Sequence, residues 1–166
     1  MTLEHQAGAT NRILGLSRVY ERAQRGWGTD GAERTLDGAI DDLVGHLLFM
    51  DEAPLREAVA GVSTFTTTFP ARGPRDSRGR SLRDFDLRTR LFRYHLSYMV
   101  YSEAFDSMPA RLLERVLRRL HDVLIGNDTR DRFAGLSPAD RRIALEIVRE
   151  TKTGLPAYWQ PSDSGH

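Results

Sequence analysis

At 166 residues the chain has the length of one domain, and a hydrophobic content of 40% is enough to build a core at that size. Its formal net charge of +1 excludes a global field that would draw it to nucleic acid or an anionic membrane. It has no cysteine, which excludes disulfides, thiolate metal sites, a cysteine nucleophile and C-x-x-C-H haem attachment within these residues. Of 24 basic residues, 23 are arginine and one is Lys152, a bias that a GC-rich coding sequence produces without any function. No apolar run approaches the roughly 18 residues of a membrane span. The stretch Met1 to Thr10 has neither the basic nor the apolar region of an export signal.

In chain order, Ile13, Leu16, Tyr20, Ala23 and Trp27 recur at helical spacing and predict a first helix over 11–27, broken by Gly26 to Gly31. A second helix is expected from Ala32 to Phe49, on the stripe Leu36, Ile40, Leu43, Val44, Leu47 and Leu48, with Pro54 soon after it. Residues 50–86 show no helical period; they contain the β-favouring run Thr64 to Phe69 and the turn-rich run Pro70 to Ser81. An excursion of that length is uncommon in a compact domain, and implies either a functional surface or packing against a partner. A third helix is expected on Leu87, Leu91, Tyr94 and Tyr98, capped by Asp84 or Asp86. A fourth starts at Ser107-Met108-Pro109, follows Leu113, Val116, Leu117, Leu120 and Leu124, and stops at Gly126-Asn127. The fifth opens at Ser137-Pro138-Ala139-Asp140 as a variant capping box, buries Ile143, Ile147 and Val148, and ends before Gly154 and Pro156. The segment Leu155 to Trp159 is apolar enough to pack back, and 160–166 is expected to be a disordered tail. The fold class is therefore all-α, a single irregular five-helix domain over 1–166 with a long Arg-rich central loop.

Catalytic motifs are scarce. The histidines His5, His46, His95, His121 and His166 show no helical metal-ligand spacing, and His46 reads as a partly buried side chain beside the stripe of its helix. Gly61-Val62-Ser63-Thr64 lacks the second glycine of a nucleophile elbow, and there is no phosphate-binding glycine loop. The carboxylate pairs Glu103/Asp106 and Asp41/Asp42 read as solvated faces and caps. The most distinctive segment is 72–93, with Arg72, Arg75, Arg78, Arg80, Arg83, Arg88, Arg90 and Arg93 against Asp76, Asp84 and Asp86, a local balance of +5. Arg72, Arg75, Arg78, Arg80 and Arg83 are the candidate anion- or partner-binding residues. The interspersed aspartates favour Arg–carboxylate clamps over nucleic-acid binding. In that case Phe65, Phe69 and Phe85 anchor the loop on the helices. The aromatic-rich stretch of Phe92, Tyr94, Tyr98, Tyr101 and Phe105 reads as core.

Several stretches taken together resemble a known family: Leu3-Glu4-His5-Gln6 followed by Asn11; Asp42-Leu43-Val44; Leu48-Phe49-Met50-Asp51-Glu52-Ala53-Pro54-Leu55; Ala71 to Leu87; Tyr101-Ser102-Glu103-Ala104-Phe105-Asp106; and Thr151 to Trp159. They resemble the C-terminal region of large, uncharacterised, exported bacterial proteins related to c-type cytochromes. The resemblance implies a haem-bearing part upstream and absent here, an exported location, and a protein or upstream-domain partner. It also singles out His5 as the one matching residue able to serve as an axial haem ligand, so that no cofactor belongs to this chain and haem enters only through the resemblance. The chain departs from the family at Gly8 and Thr10, where further histidines are usual, and at His95-Leu96, where Pro-Cys precedes the Ser-Tyr pair. The expected function is a non-catalytic interaction or scaffold domain, a detached C-terminal piece of a cytochrome-like protein. The alternatives are an anion or nucleic-acid module using 72–93, and a haem contact in trans through His5.

Overall fold

The computed structural model describes residues 2–25, 30–52, 64–128 and 130–161. Six α-helices lie among them: α1 Thr2–Gln24, α2 Asp30–Leu47, α3 Phe65–Ala71, α4 Glu103–Asp106, α5 Ala110–Leu124 and α6 Pro138–Thr151. Short 3₁₀ turns occupy Tyr98–Tyr101, Asp131–Phe133 and Ala157–Trp159. No strand occurs among the described residues beyond one isolated antiparallel bridge between Phe85 and Phe92, so the domain is all-α. The break at 26–29 with Trp27, Pro54, Gly61 to Ser63 and residues 162–166 lie outside the described residues.

The long helices follow their apolar periods. α1 buries His5, Ala9, Ile13, Leu16 and Tyr20 against α2, whose buried face is Leu36, Ile40, Leu43, Val44 and Leu47. α5 buries Leu112 in place of Leu113, together with Val116, Leu117, Leu120 and Leu124, and packs between α2 and α6. Ser137 caps α6: its Oγ accepts the Asp140 amide at 3.1 Å and donates to the Asp140 carboxylate at 2.7 Å. Past α6 the chain returns, and Trp159 is fully buried beside His121.

Three expectations are corrected. α1 begins at Thr2, not near Asn11, because the 4-4-3-4 stripe runs back from Tyr20 through Ala9 to a polar residue, His5. The Thr-rich run forms helix α3 within 50–86. Phe65 and Phe69, four residues apart, sit on one face with their rings 5.1 Å from each other, and Phe69 stacks on Phe85. The helix expected over Leu87 to Tyr98 does not form. Asp86 competes for the backbone, accepting from the Thr89 amide, the Arg90 amide and the Thr89 hydroxyl, and Leu87 adopts a φ of 60°, which ends any helical run. The chain turns tightly there, so that Leu87 N donates to Arg90 O and Asp86 N to Leu91 O.

Candidate functional site

The end of α2 creates the central polar node. Met50 N donates to Gly45 O and Phe49 N to His46 O, which is a Schellman closure. Its left-handed position, usually glycine, is Phe49 at φ 58°. That geometry places the Phe49 ring 4.7 Å from His5 and 5.4 Å from Phe92. The Leu47 carbonyl, left over at the helix end, accepts the amide of Ser97 at 2.7 Å.

His5 enters this node from α1 and is only 4% exposed. Its Nδ1 lies 3.1 Å from Glu52 Oε1 and its Nε2 2.7 Å from Ser97 Oγ, while its ring stacks on His46 at 4.5 Å. An ionised carboxylate only accepts, so in the neutral ring Nδ1–H donates to Glu52 and Nε2 accepts the Ser97 hydroxyl. His46 Nε2–H donates to the His5 carbonyl, and burial lowers the His46 pKa below its ordinary value. Ser97, His5 and Glu52 thus have the hydrogen-bond order of a nucleophile–base–orienter relay. Ser97, however, is 0% exposed and its Oγ already accepts the Met99 amide at 3.1 Å, so no substrate reaches it. Likewise, no His5 ring nitrogen is free to ligate an iron. Periodicity offered one clue to this node, the extension of the α1 stripe to His5. Residues 5, 52 and 97 are too far apart in the sequence for spacing to join them.

The arginine segment divides in two. Arg75 forks onto Asp84 at 3.0 Å. Arg80 pairs with Asp76 at 2.7 Å and with Glu146 of α6 at 2.9 Å, and Arg78 reaches the same Glu146 at 3.2 Å. Arg90 faces Asp140, and Arg75 also donates to the Gly79 carbonyl. Gly73 is required here, since a Cβ would stand 2.5 Å from Ser81 Oγ. Arg75, Arg78 and Arg80 therefore bind the chain's own carboxylates. Arg72 and Arg83 have no carboxylate partner among the described residues; Arg83 lies over the rings of Phe69 and Tyr98 at 4.9 and 5.1 Å. Of the three phenylalanines expected to anchor the segment, Phe69 and Phe85 are half-buried and Phe65 is 45% exposed.

A second charged lattice joins α2 to α5 and to the segment after α5. Arg119 and Arg130 both grip Asp41 and Asp128, and Arg115 bridges Glu33 and Asp37. Among the described residues no group of three or more histidine or acidic side chains is placed to hold a metal ion, and no helix is long and apolar enough to cross a membrane. Comparisons with protein-family models, curated proteins and solved structures found no match.

Proposed function

We propose that this chain is a non-catalytic helical interaction domain that docks through the outward face of α1 onto a haem-bearing, cytochrome-like protein. The observation that carries the reading is the position of two leucines. Leu3 is 78% and Leu14 50% exposed, on the side of α1 turned away from His5, Ile13 and Leu16. Eleven residues are three helical turns, so the two side chains stand in line about 16 Å apart, with exposed Ala7 between them. A pair of large apolar side chains so aligned on a helix with a complete buried face of its own fits helix-on-surface docking. The buried state of Ser97 supports the non-catalytic part. The resemblance to cytochrome-related proteins supplies the class of partner. The internal pairing of Arg75, Arg78 and Arg80 favours this reading over a nucleic-acid module.

The test is affinity purification of the tagged full chain from its native host, read at the haem Soret band. A haem-absorbing protein should co-elute with the wild type and be lost from Leu14→Glu, whose thermal midpoint should be unchanged. Absence of haem absorbance from the wild-type eluate, or equal recovery with L14E, overturns the reading.

A further inference from the structure

A cleft of about 290 Å³ opens between the first turn of α1, α3 and the 3₁₀ turn at Tyr98–Tyr101. Its walls include Leu3, Phe65 and Phe69, and its charged residues are Arg72 and Arg83. Among the described residues no carboxylate lines it; Glu4, on the exposed side of the same helical turn, is not among the lining residues.

Three polar features of this cleft are not met by hydrogen bonds or ion pairs among the described residues, although the Arg83 guanidinium lies over the Phe69 and Tyr98 rings. Arg72 and Arg83, like Arg88 and Arg93 elsewhere in the segment, lack a carboxylate partner among the described residues, whereas Arg75, Arg78, Arg80 and Arg90 each have one. Arg83 Nε is buried with no acceptor among the described residues. Tyr98 lines the cleft at 5% exposure, and its hydroxyl is buried with no hydrogen-bond partner among the described residues. A buried donor left unmade is costly, and two of them beside guanidinium charge without a carboxylate are best satisfied by one acceptor-rich anion. The long helix α1 adds the partial positive charge of its N-terminus on the same side.

The geometry points to this cleft as a binding site for a carboxylate carried on a small aromatic body. The carboxylate takes the guanidinium of Arg83, the hydroxyl of Tyr98 and, at the mouth, Arg72. The ring packs against Phe65, Phe69 and Leu3. The planar fork of arginine matches a carboxylate in two-point contact, and the aromatic walls distinguish such a ligand from inorganic phosphate, which has no apolar part. The volume suits a molecule the size of phenylacetate, near the small end of ligand pockets. The same chemistry is offered by a free acid or by the terminal carboxylate of a peptide ending in phenylalanine. The site shares Leu3 with the proposed docking face but rests on Arg72, Arg83 and Tyr98, so its test stands apart from docking through Leu14.

The experiment is titration of the full chain with phenylacetate, followed by amide chemical shifts in NMR, with phenylacetamide, inorganic phosphate and a short peptide ending in Phe as parallel arms. Saturable shifts at Phe69, Arg83 and Tyr98 are expected at millimolar concentration or below, at least tenfold weaker for phenylacetamide and for phosphate. Tyr98→Phe removes only the hydroxyl and should weaken binding three- to tenfold. Arg72→Gln, at an exposed position, should do the same while leaving the fold intact, and Arg83→Gln should weaken it more than tenfold. Tighter binding of the peptide than of phenylacetate identifies a protein terminus as the source, and the reverse identifies a free acid; either supports the site. Equal binding of phenylacetamide or phosphate, no saturation by either carboxylate, or unchanged affinity in both Y98F and R72Q overturns it.

Discussion

Asp76→Ala tests whether the central segment is held by its own ions. The Asp76 side chain is fully buried and makes three hydrogen bonds: Oδ1 accepts the amides of Arg80 at 2.7 Å and Arg78 at 3.1 Å, and Oδ2 accepts Arg80 Nε at 2.7 Å. Burial alone pushes its pKa up, but the backbone and side-chain hydrogen bonds from Arg80 and the Arg80 charge outweigh that and hold it below the usual carboxylate range. Removing one partner of a buried ion pair costs about 3–5 kcal/mol, because the remaining charge and amides lose their acceptor. That is a large part of the roughly 5–15 kcal/mol that holds a domain folded. Asp76→Asn keeps an oxygen for the two amides but sets an amide nitrogen against Arg80 Nε. Neutral bonds then replace charge-assisted ones, and the loss should be about 2 kcal/mol. Glu146→Gln, at the half-exposed far end of the clamp, should cost about 1 kcal/mol. Urea unfolding followed by tryptophan fluorescence reads all three, since Trp159 is buried. A loss below about 1 kcal/mol for D76A, against the expectation for a buried pair, would refute the clamp and make 72–93 a solvated excursion.

Trp159→Ala removes the side chain that seals the return segment against His121, and should cost about 3–5 kcal/mol in urea unfolding followed by circular dichroism. Acid should destabilise the protein in two limbs. Burial lowers the folded-state pKa of His46, His95 and His121 below 6.5, so the unfolded chain binds more protons there; stability is full above about pH 6.5 and declines below it. The lowered pKa values of Asp76 and Asp86 add a second decline as pH falls below about 3.8. Urea midpoints from pH 8 to 3 should show both limbs, with the upper one flattened in a His46→Gln, His95→Gln, His121→Gln variant; a wild-type midpoint constant from pH 7 to 5 contradicts it. Leu87→Gly relieves a left-handed conformation worth about 1 kcal/mol and should raise the thermal midpoint by a few degrees, about 2–4 °C per kcal/mol, while Leu87→Val should lower it.

The helices legible in the sequence are those whose apolar face is continuous. α2, α5 and α6 follow their stripes, and Ser137 caps α6 through a spacing rule that needs no tertiary context. What escaped was decided by side chains acting on the backbone. Thr64 to Phe69 has β-favouring residues, yet Phe65 and Phe69 bring two rings together only in a helix, where Phe69 also meets Phe85 and Tyr98. Leu87 to Tyr98 carries a helical period, yet Asp86 satisfies the Thr89 and Arg90 amides itself and removes them from any helix. The same holds for the candidate residues. Arg75, Arg78, Arg80 and Arg83 look alike in the sequence. What separates the first three from Arg83 is the presence of Asp84, Asp76 and Glu146 beside them, and Glu146 arrives from a helix more than sixty residues away.

The buried node at His5 answers a different physical need. The faces of α1 and α2 are apolar stripes, and such stripes can slide by a turn with little loss of buried area. Here His5 stacks on His46, His46 donates back to the His5 carbonyl, and Glu52 and Ser97 hold the two ring nitrogens of His5 from outside the pair. A slip of one turn would strand the buried imidazole and the Ser97 hydroxyl, each at the cost of an unmade buried bond, while the more exposed Glu52 carboxylate would turn to water. The node therefore sets the register of α1 against α2. The start of α1 supplies both His5 and, on its other sides, Leu3 and the wall of the aromatic cleft. Fixing the register of that one turn thus fixes where Leu3 stands against the other walls of the cleft, so a relay-like triad with no exposed nucleophile acts as a positioning element of the fold.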